Sequence, residues 1–384
     1  MTTHKHLKER IRARMARTGE RYTAARRHVL GAEAAGPGGP GAGPGAGRLV
    51  SAELRHPESA AVAALLARHG RTLSEPMALG CGGGLAAGYI LWEFTAHAKI
   101  HLVLGFRNRW NYLDWTENAL TALGAEVSVH TTSGVKGAHH ALDAALATGP
   151  AVTWPDRYVV GYWGLPEHLD GHGGHAVLAL GLTGNGDVLL DDRTFAPLTV
   201  DRAVFDAARA RVSSYRNRLV TVTGVGPVDL AAAARAGIEV TLAGLGGTSA
   251  SFALPAWRKW ARLLTDERHA KGWPRVFADG RGLVGALLSV WEGVSPAGAD
   301  GGHLRDVYAD FLDEAAALLG NPALTRAAAA FREAGERWTT VGETALPAAV
   351  PAYQRLRTLT AELAMAVAEG DAGADARAAA AAEL

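Results

Sequence analysis

The chain has 384 residues, nearly half of them apolar, and one cysteine, Cys81. That length accommodates two domains with separate cores, and the composition excludes a disordered protein and a disulfide-stapled module. The net charge of +1 is uneven: residues 1–30 hold nine Lys/Arg against Glu9 and Glu20, a local +7, which leaves the remainder at −6. An acidic body argues against a nucleic-acid-binding core and leaves nucleic acid as a partner for the basic arm alone. No apolar run has the length needed to cross a bilayer, and the charged N-terminus lacks a secretory core, so the expectation is a cytoplasmic protein without a membrane partner.

In chain order, residues 1–47 read as a basic arm with Leu7, Ile11 and Met15 at helical spacing, then a Gly/Pro/Ala linker. Folded structure is expected from residue 48. His56-Pro57-Glu58-Ser59 opens a helix, with proline in the first turn and a carboxylate near its positive end, and Gly70 closes it. YILWEF and KIHLVLGF read as strands, DWTENALTAL as a helix ended by Gly124, AEVSVHT as a strand, VKGAHHALDAALATG as a helix and PAVTWP as a strand. From His175 to Asp192, HAVLALGLTGNGDVLLDD is a hairpin, with apolar runs on either side of Thr183-Gly184-Asn185-Gly186. DRAVFDAARARV is a short helix and NRLVTVTG a last strand. Early helices and late antiparallel strands predict an α+β fold over 48–226. After Gly226-Pro227 the stretches VDLAAAARAGIEVTL, FALPAWRKWARLLTD, LRDVYADFLDEAAALLG and ALTRAAAAFREAGERW are amphipathic. Residues 228–370 are therefore expected to form a separate all-helical domain, and residues 371–384 a frayed, disordered tail.

His175 is the leading candidate for chemistry, because it begins an apolar strand with an acid on the returning arm. Its partner is Asp192 or Asp191. Val188, Leu190 and Asp192 share one face by alternation, which favours Asp192. Cys81 lies in the run Leu79-Gly80-Cys81-Gly82-Gly83-Gly84 and reads as a small buried hydrophobe, with catalysis as the alternative. Ser59, one turn into its helix, reads as a backbone cap before it reads as a nucleophile. His168, His172 and His175 have loop spacing in a Gly-rich segment without a nearby cysteine, so no metal is expected. The glycine run lacks the Lys-Ser/Thr of a phosphate loop and reads as a turn where backbone approaches a neighbour or a ligand. Trp92, Trp110, Trp115, Trp154 and Trp163 read as core or cleft lining. The segment Arg107 to Tyr112 suits an anionic arm or a polar loop.

RHPESAAVAALLARHGRTLSEPMALGCGGGLAAGYILWEF resembles the opening of the butirosin biosynthesis protein H N-terminal domain. GHGGHAVLALGLTGNGDVLLDD resembles its closing hairpin, and KGWPRVFADGRGL with GGHLRDVYADFLDEAA resembles a domain of unknown function that accompanies it. The resemblance implies a papain-like acyltransferase of natural-product or antibiotic biosynthesis. Such an enzyme moves an acyl or aminoacyl group from a carrier-protein thioester to an amine, with a cysteine as nucleophile, a histidine as base and an aspartate orienting it. Read from the residues themselves, His56, Glu58, Arg107 and Trp110 are the candidate substrate contacts. No cofactor is expected; the phosphopantetheine arm of an acyl carrier protein would arrive as part of the substrate. The family cysteine follows a histidine at the start of the first helix, and here that position is Pro57. Three readings stay open: an acyltransferase without the usual thiol, a non-catalytic binding module that keeps the cleft, and a hydrolase or cyclase using Cys81 or Ser59.

Overall fold

The structure, a computed structural model, describes residues 49–384 apart from 53, 95–98, 108–111, 166–169, 171–172, 281 and 384. The basic arm and linker of residues 1–47 lie outside the described residues. The first half runs α1 (Pro57–Arg68), α2 (Glu75–Cys81), β1 (Leu85–Phe94), β2 (Lys99–Arg107), α3 (Tyr112–Ala122), β3 (Ala125–His130), α4 (Val135–Thr148), β4 (Ala151–Thr153), β5 (Val177–Leu182), β6 (Val188–Asp191), β7 (Leu198–Val200), α5 (Arg202–Arg211) and β8 (Leu219–Val225). The second half is helical: α6 (Leu230–Leu245), α7 (Leu254–Leu263), α8 (Trp273–Val276), α9 (Leu283–Val294), α10 (Arg305–Leu319), α11 (Ala323–Ala345), α12 (Pro351–Ala368) and α13 (Ala374–Glu383). The architecture is thus mixed α/β, a sheet region followed by a helical region. No helix among the described residues is long and apolar enough to cross a membrane.

Local chemistry sets the helix starts. Ser74 accepts from the Met77 N–H at 3.1 Å to cap α2, Asp201 from Val204 at 2.9 Å to cap α5, and Asp229 from Ala232 at 3.0 Å to cap α6. The main sheet has the order β3-β8-β4-β5-β6-β7, with every pair antiparallel. Alternation divides its side chains between two cores. Ala176 and Leu178 pack with α1 and Trp154, whereas Val177, Ala179, Val188 and Leu190 pack with Trp163, Phe205 and Leu363.

The β1–β2 pair forms its own two-stranded sheet. It is covered by the helical half, with Tyr89 and Leu102 packed among Trp260, Trp273, Phe277 and Val290. Arg305 is buried there. Its guanidinium stacks on Phe106 and Trp257 at 5.0 and 4.9 Å and donates to the carbonyls of Ala86, Phe106 and His303 at 3.1, 3.3 and 2.6 Å. Burial lowers its pKa to about 9.

The glycine run serves packing against a neighbour. A Cβ on Gly80 would lie 2.1 Å from the Phe311 ring, and one on Gly84 (φ +53°) would lie 2.3 Å from Tyr308. Both rings come from α10, so the sheet and helical regions share a core, and residues 49–384 form one compact unit. Residues 371–384, read from sequence as a tail, include α13, whose Ala380 and Ala381 are buried beside Trp163 and Leu363. Alanines at helical spacing give a weak hydrophobic signal, but their small side chains let α13 approach closely.

Candidate functional site

The β5–β6 hairpin brings His175 and Asp192 together, with Nε2 of His175 2.7 Å from Oδ1 of Asp192. The register explains the pairing. Leu178 opposes Asp191 and Ala179 opposes Leu190, so the alternation that points Val177 and Ala179 to one face carries His175 with them, and Leu190 carries Asp192. Tyr162 donates its hydroxyl to the other oxygen of Asp192 at 2.8 Å, and the indole of Trp163 meets the His175 ring edge-on at 5.9 Å. Burial raises the Asp192 pKa, but the charge and hydrogen bond of His175, the charge of Arg193 and the Tyr162 hydroxyl outweigh it and hold the carboxyl well below its usual range. Burial and the Asp192 charge push Tyr162 well up, so it remains a donor. With Nε2 committed to Asp192, the ring nitrogen left for proton transfer is Nδ1.

Asp191, the alternative acid, does not meet His175. It accepts from the Ser51 hydroxyl and from the Thr194 N–H at 3.3 Å. It shares a small cavity with Pro57, Ala60 and Ala61 of α1 and with Ala176, Val177 and Leu178. The start of α1 is therefore seated against the base of the hairpin, with Pro57 at the first helical position.

His56 caps α1 with its side chain: Nδ1 accepts from the Ser59 N–H at 3.3 Å and lies 2.8 Å from Ser59 Oγ. Nε2 of His56 lies 2.9 Å from Glu58 Oε2, which also accepts from Arg107 at 2.9 Å. Ser59, His56 and Glu58 thus follow the order of a hydroxyl–imidazole–carboxylate relay. The relay is enclosed: Ser59 and His56 have no accessible surface, and Trp115 packs edge-on against His56 at 5.2 Å. Burial opposes ionisation of Glu58, but Arg107 and His56 outweigh it and keep its pKa low.

Arg193, in the left-handed conformation at φ 57°, ties the two parts together. It donates to the Arg55 carbonyl at 2.6 Å and lies 3.4 Å from Asp192 Oδ1. The helical region supplies the last member. Asp300, 62% exposed at its side chain, lies 3.7 Å from Arg107, whose own side chain is 18% exposed. Desolvation works against the Asp300 charge, but Arg107, then His175, Arg157 and His56, pull its pKa down to about 2. The same charges place Asp300 within electrostatic reach of both halves of the site. Tyr215 joins them: a Cβ on Gly174 would lie 2.1 Å from its ring.

Cys81 lies elsewhere. Its thiol is buried in the core shared by α1, α2 and α10, 3.4 Å from the Met77 sulfur, and burial followed by the Glu314 charge pushes its pKa up to about 12. Trp110, His168 and His172 lie outside the described residues. Among the described residues no group of three or more His, Cys, Asp or Glu is arranged to hold a metal ion. Tyr162, Arg193, Tyr215 and Asp300 join the site without a sequence motif. For Arg193, adjacency to the Asp-Asp pair was the one signal.

Residues 56–193 match the family model described as butirosin biosynthesis protein H, N-terminal. That match spans 138 of the 384 residues, and over this stretch the chain is similar to that family. Residues 198–372 match a domain of unknown function (DUF4872), so the chain joins the two modules in sequence. No curated protein matches it. The first matched region runs from His56 to Arg193 and holds both histidine clusters, while Tyr215 and Asp300 come from the second.

Proposed function

We propose that this protein is an acyltransferase of papain-like type that passes an acyl or aminoacyl group from a carrier-protein thioester directly to an amine, without an acyl-enzyme. The observation that carries the reading is the His175–Asp192 pair, at 2.7 Å, beside a helix start that presents Pro57 instead of a thiol. A histidine held by a buried carboxylate is a general base, and it has no enzyme nucleophile to serve here. The amine nitrogen attacks the thioester carbonyl while Nδ1 of His175 accepts its proton. The C–S bond then breaks, and His175 returns the proton to the departing thiolate, so the products are an amide and a free thiol. Cys81, enclosed in the core with its thiol held protonated, supports the same reading. Initial-rate kinetics with acyl-pantetheine donors and an amine panel test it. Direct transfer gives intersecting double-reciprocal lines, whereas an acyl-enzyme gives parallel lines and would refute it.

A further inference from the structure

The segment that turns back onto His175 begins at Pro155. The Pro155 carbonyl accepts from the His175 N–H at 2.9 Å, and the Arg157 N–H donates to the Gly173 carbonyl at 3.2 Å, so the backbone leading into His175 is paired. The buried Asp156 carboxylate accepts from the N–H groups of Tyr158 and Val159 at 2.9 and 3.0 Å. It thereby closes a tight turn, which brings the chain back to Trp163 beside Arg157. The Arg157 guanidinium lies 4.6 Å from the centre of the Trp163 ring. Trp163 in turn borders the His175 ring at 5.9 Å, with the two planes at 85°. Arg157 Nε is buried and has no hydrogen-bond partner among the described residues. Glu292 lines the same cavity, within the field of the Arg157 charge, yet the guanidinium rests on the indole. A guanidinium withdrawn from water gains most over an indole face. Asp192 fixes one nitrogen of His175, but a single hydrogen bond leaves the ring free to rock about it. Trp163, itself held by Arg157, blocks that motion.

We propose that Arg157 is a positioning residue for His175: stacked on Trp163, it sets the plane of the imidazole and so the direction of Nδ1. This inference rests on the transfer reading above for its effect on rate, but the orientation of the His175–Asp192 pair does not require turnover. Loss of Arg157 lowers kcat and leaves both KM values in place, because the substrates still bind and only the base is misaimed. The effect travels through the indole. Without that ring the guanidinium has nothing to hold.

The test uses the full chain as wild type, Arg157→Met, Arg157→Lys, Trp163→Leu and the double variant Arg157→Met/Trp163→Leu. Donor and acceptor are the acyl-pantetheine and the amine that wild type turns over fastest. Losing the cation–π contact is expected to lower kcat about 3- to 30-fold in Arg157→Met, with both KM values within about twofold. Arg157→Lys, which keeps a cation over the ring, should recover most of the loss. In the Trp163→Leu background, Arg157→Met should change kcat less than about twofold. A loss of equal size with and without the indole overturns the inference, because it reports a charge acting through space. A loss of less than about threefold in Arg157→Met also overturns it. If wild type transfers no acyl group from any donor, the transfer reading fails instead, and proton NMR decides the positioning alone. The His175–Asp192 bond gives a downfield imidazole N–H resonance, assigned by its loss in His175→Ala. A shift or broadening of that resonance in Arg157→Met, restored in Arg157→Lys, supports the inference, and an unchanged resonance in Arg157→Met overturns it.

Discussion

Asp191 and Asp192, adjacent in the chain, serve opposite faces of the sheet. Asp192 holds His175 at 2.7 Å and takes the Tyr162 hydroxyl, whereas Asp191 accepts from Ser51 beside Pro57. Exchanging each for asparagine should separate the two roles. Asp192→Asn is expected to lower transfer at least about tenfold through a misoriented base, and His175→Ala about 10²- to 10⁴-fold. Asp191→Asn should leave the rate within about threefold. Steady-state rates at saturating donor and acceptor check all three.

The same pair gives a pH test of stability. Burial, opposed by the Ser51 and Thr194 hydrogen bonds, raises the Asp191 pKa from 3.8 to about 6. A carboxyl whose folded pKa is raised favours the fold when protonated, so its contribution is complete below about pH 4 and is lost as pH rises through about 6. Relative to Asp191→Asn, wild type should therefore lose up to roughly 3 kcal/mol between pH 4 and 7 and then level off. Urea denaturation of both proteins across that range measures it. A constant difference would show that Asp191 is charged throughout.

Tyr162→Phe removes the hydroxyl from a buried, ionised carboxylate. The expected cost is about 1.5–3 kcal/mol. The urea midpoint should fall, and transfer should slow less than in Asp192→Asn because His175 keeps its partner.

Pro57→Cys installs a thiol at the first position of α1. A helix start depresses a thiol pKa, and this one adjoins the His175 hairpin. Iodoacetamide at pH 7 should alkylate the introduced thiol rapidly and leave Cys81, with its pKa of about 12, untouched under native conditions. Peptide mapping of the alkylated protein distinguishes the two.

Much of this was legible in the chain. Alternation in Val188, Leu190 and Asp192 pointed to the acid that meets His175, because a two-residue period leaves no freedom about which face a side chain takes. The strands from Leu85 to Val225 followed their apolar runs, apart from the short β7. Helices α9 and α12 carry weak sequence signals: Leu283–Val294 is apolar almost throughout, and Pro351–Ala368 starts at a proline without a side-chain cap. Asp300 lay beyond any local pattern. It reaches the site because Gly301 allows Arg55 to grip its carbonyl, more than 240 residues away in sequence. The glycine run had two readings, neighbour or ligand, and only the positions of Tyr308 and Phe311 choose between them.

Transfer without a covalent enzyme intermediate leaves the protein mass unchanged during a single turnover, which intact-protein mass spectrometry measures. The protein is mixed with excess acyl-pantetheine, with and without amine, and quenched in acid over milliseconds to minutes. The expected result is an unmodified mass at every time, amide formed only when amine is present, and no amide with His175→Ala. An acyl adduct that forms at the rate of turnover and maps to Cys81 or Ser59 would contradict it.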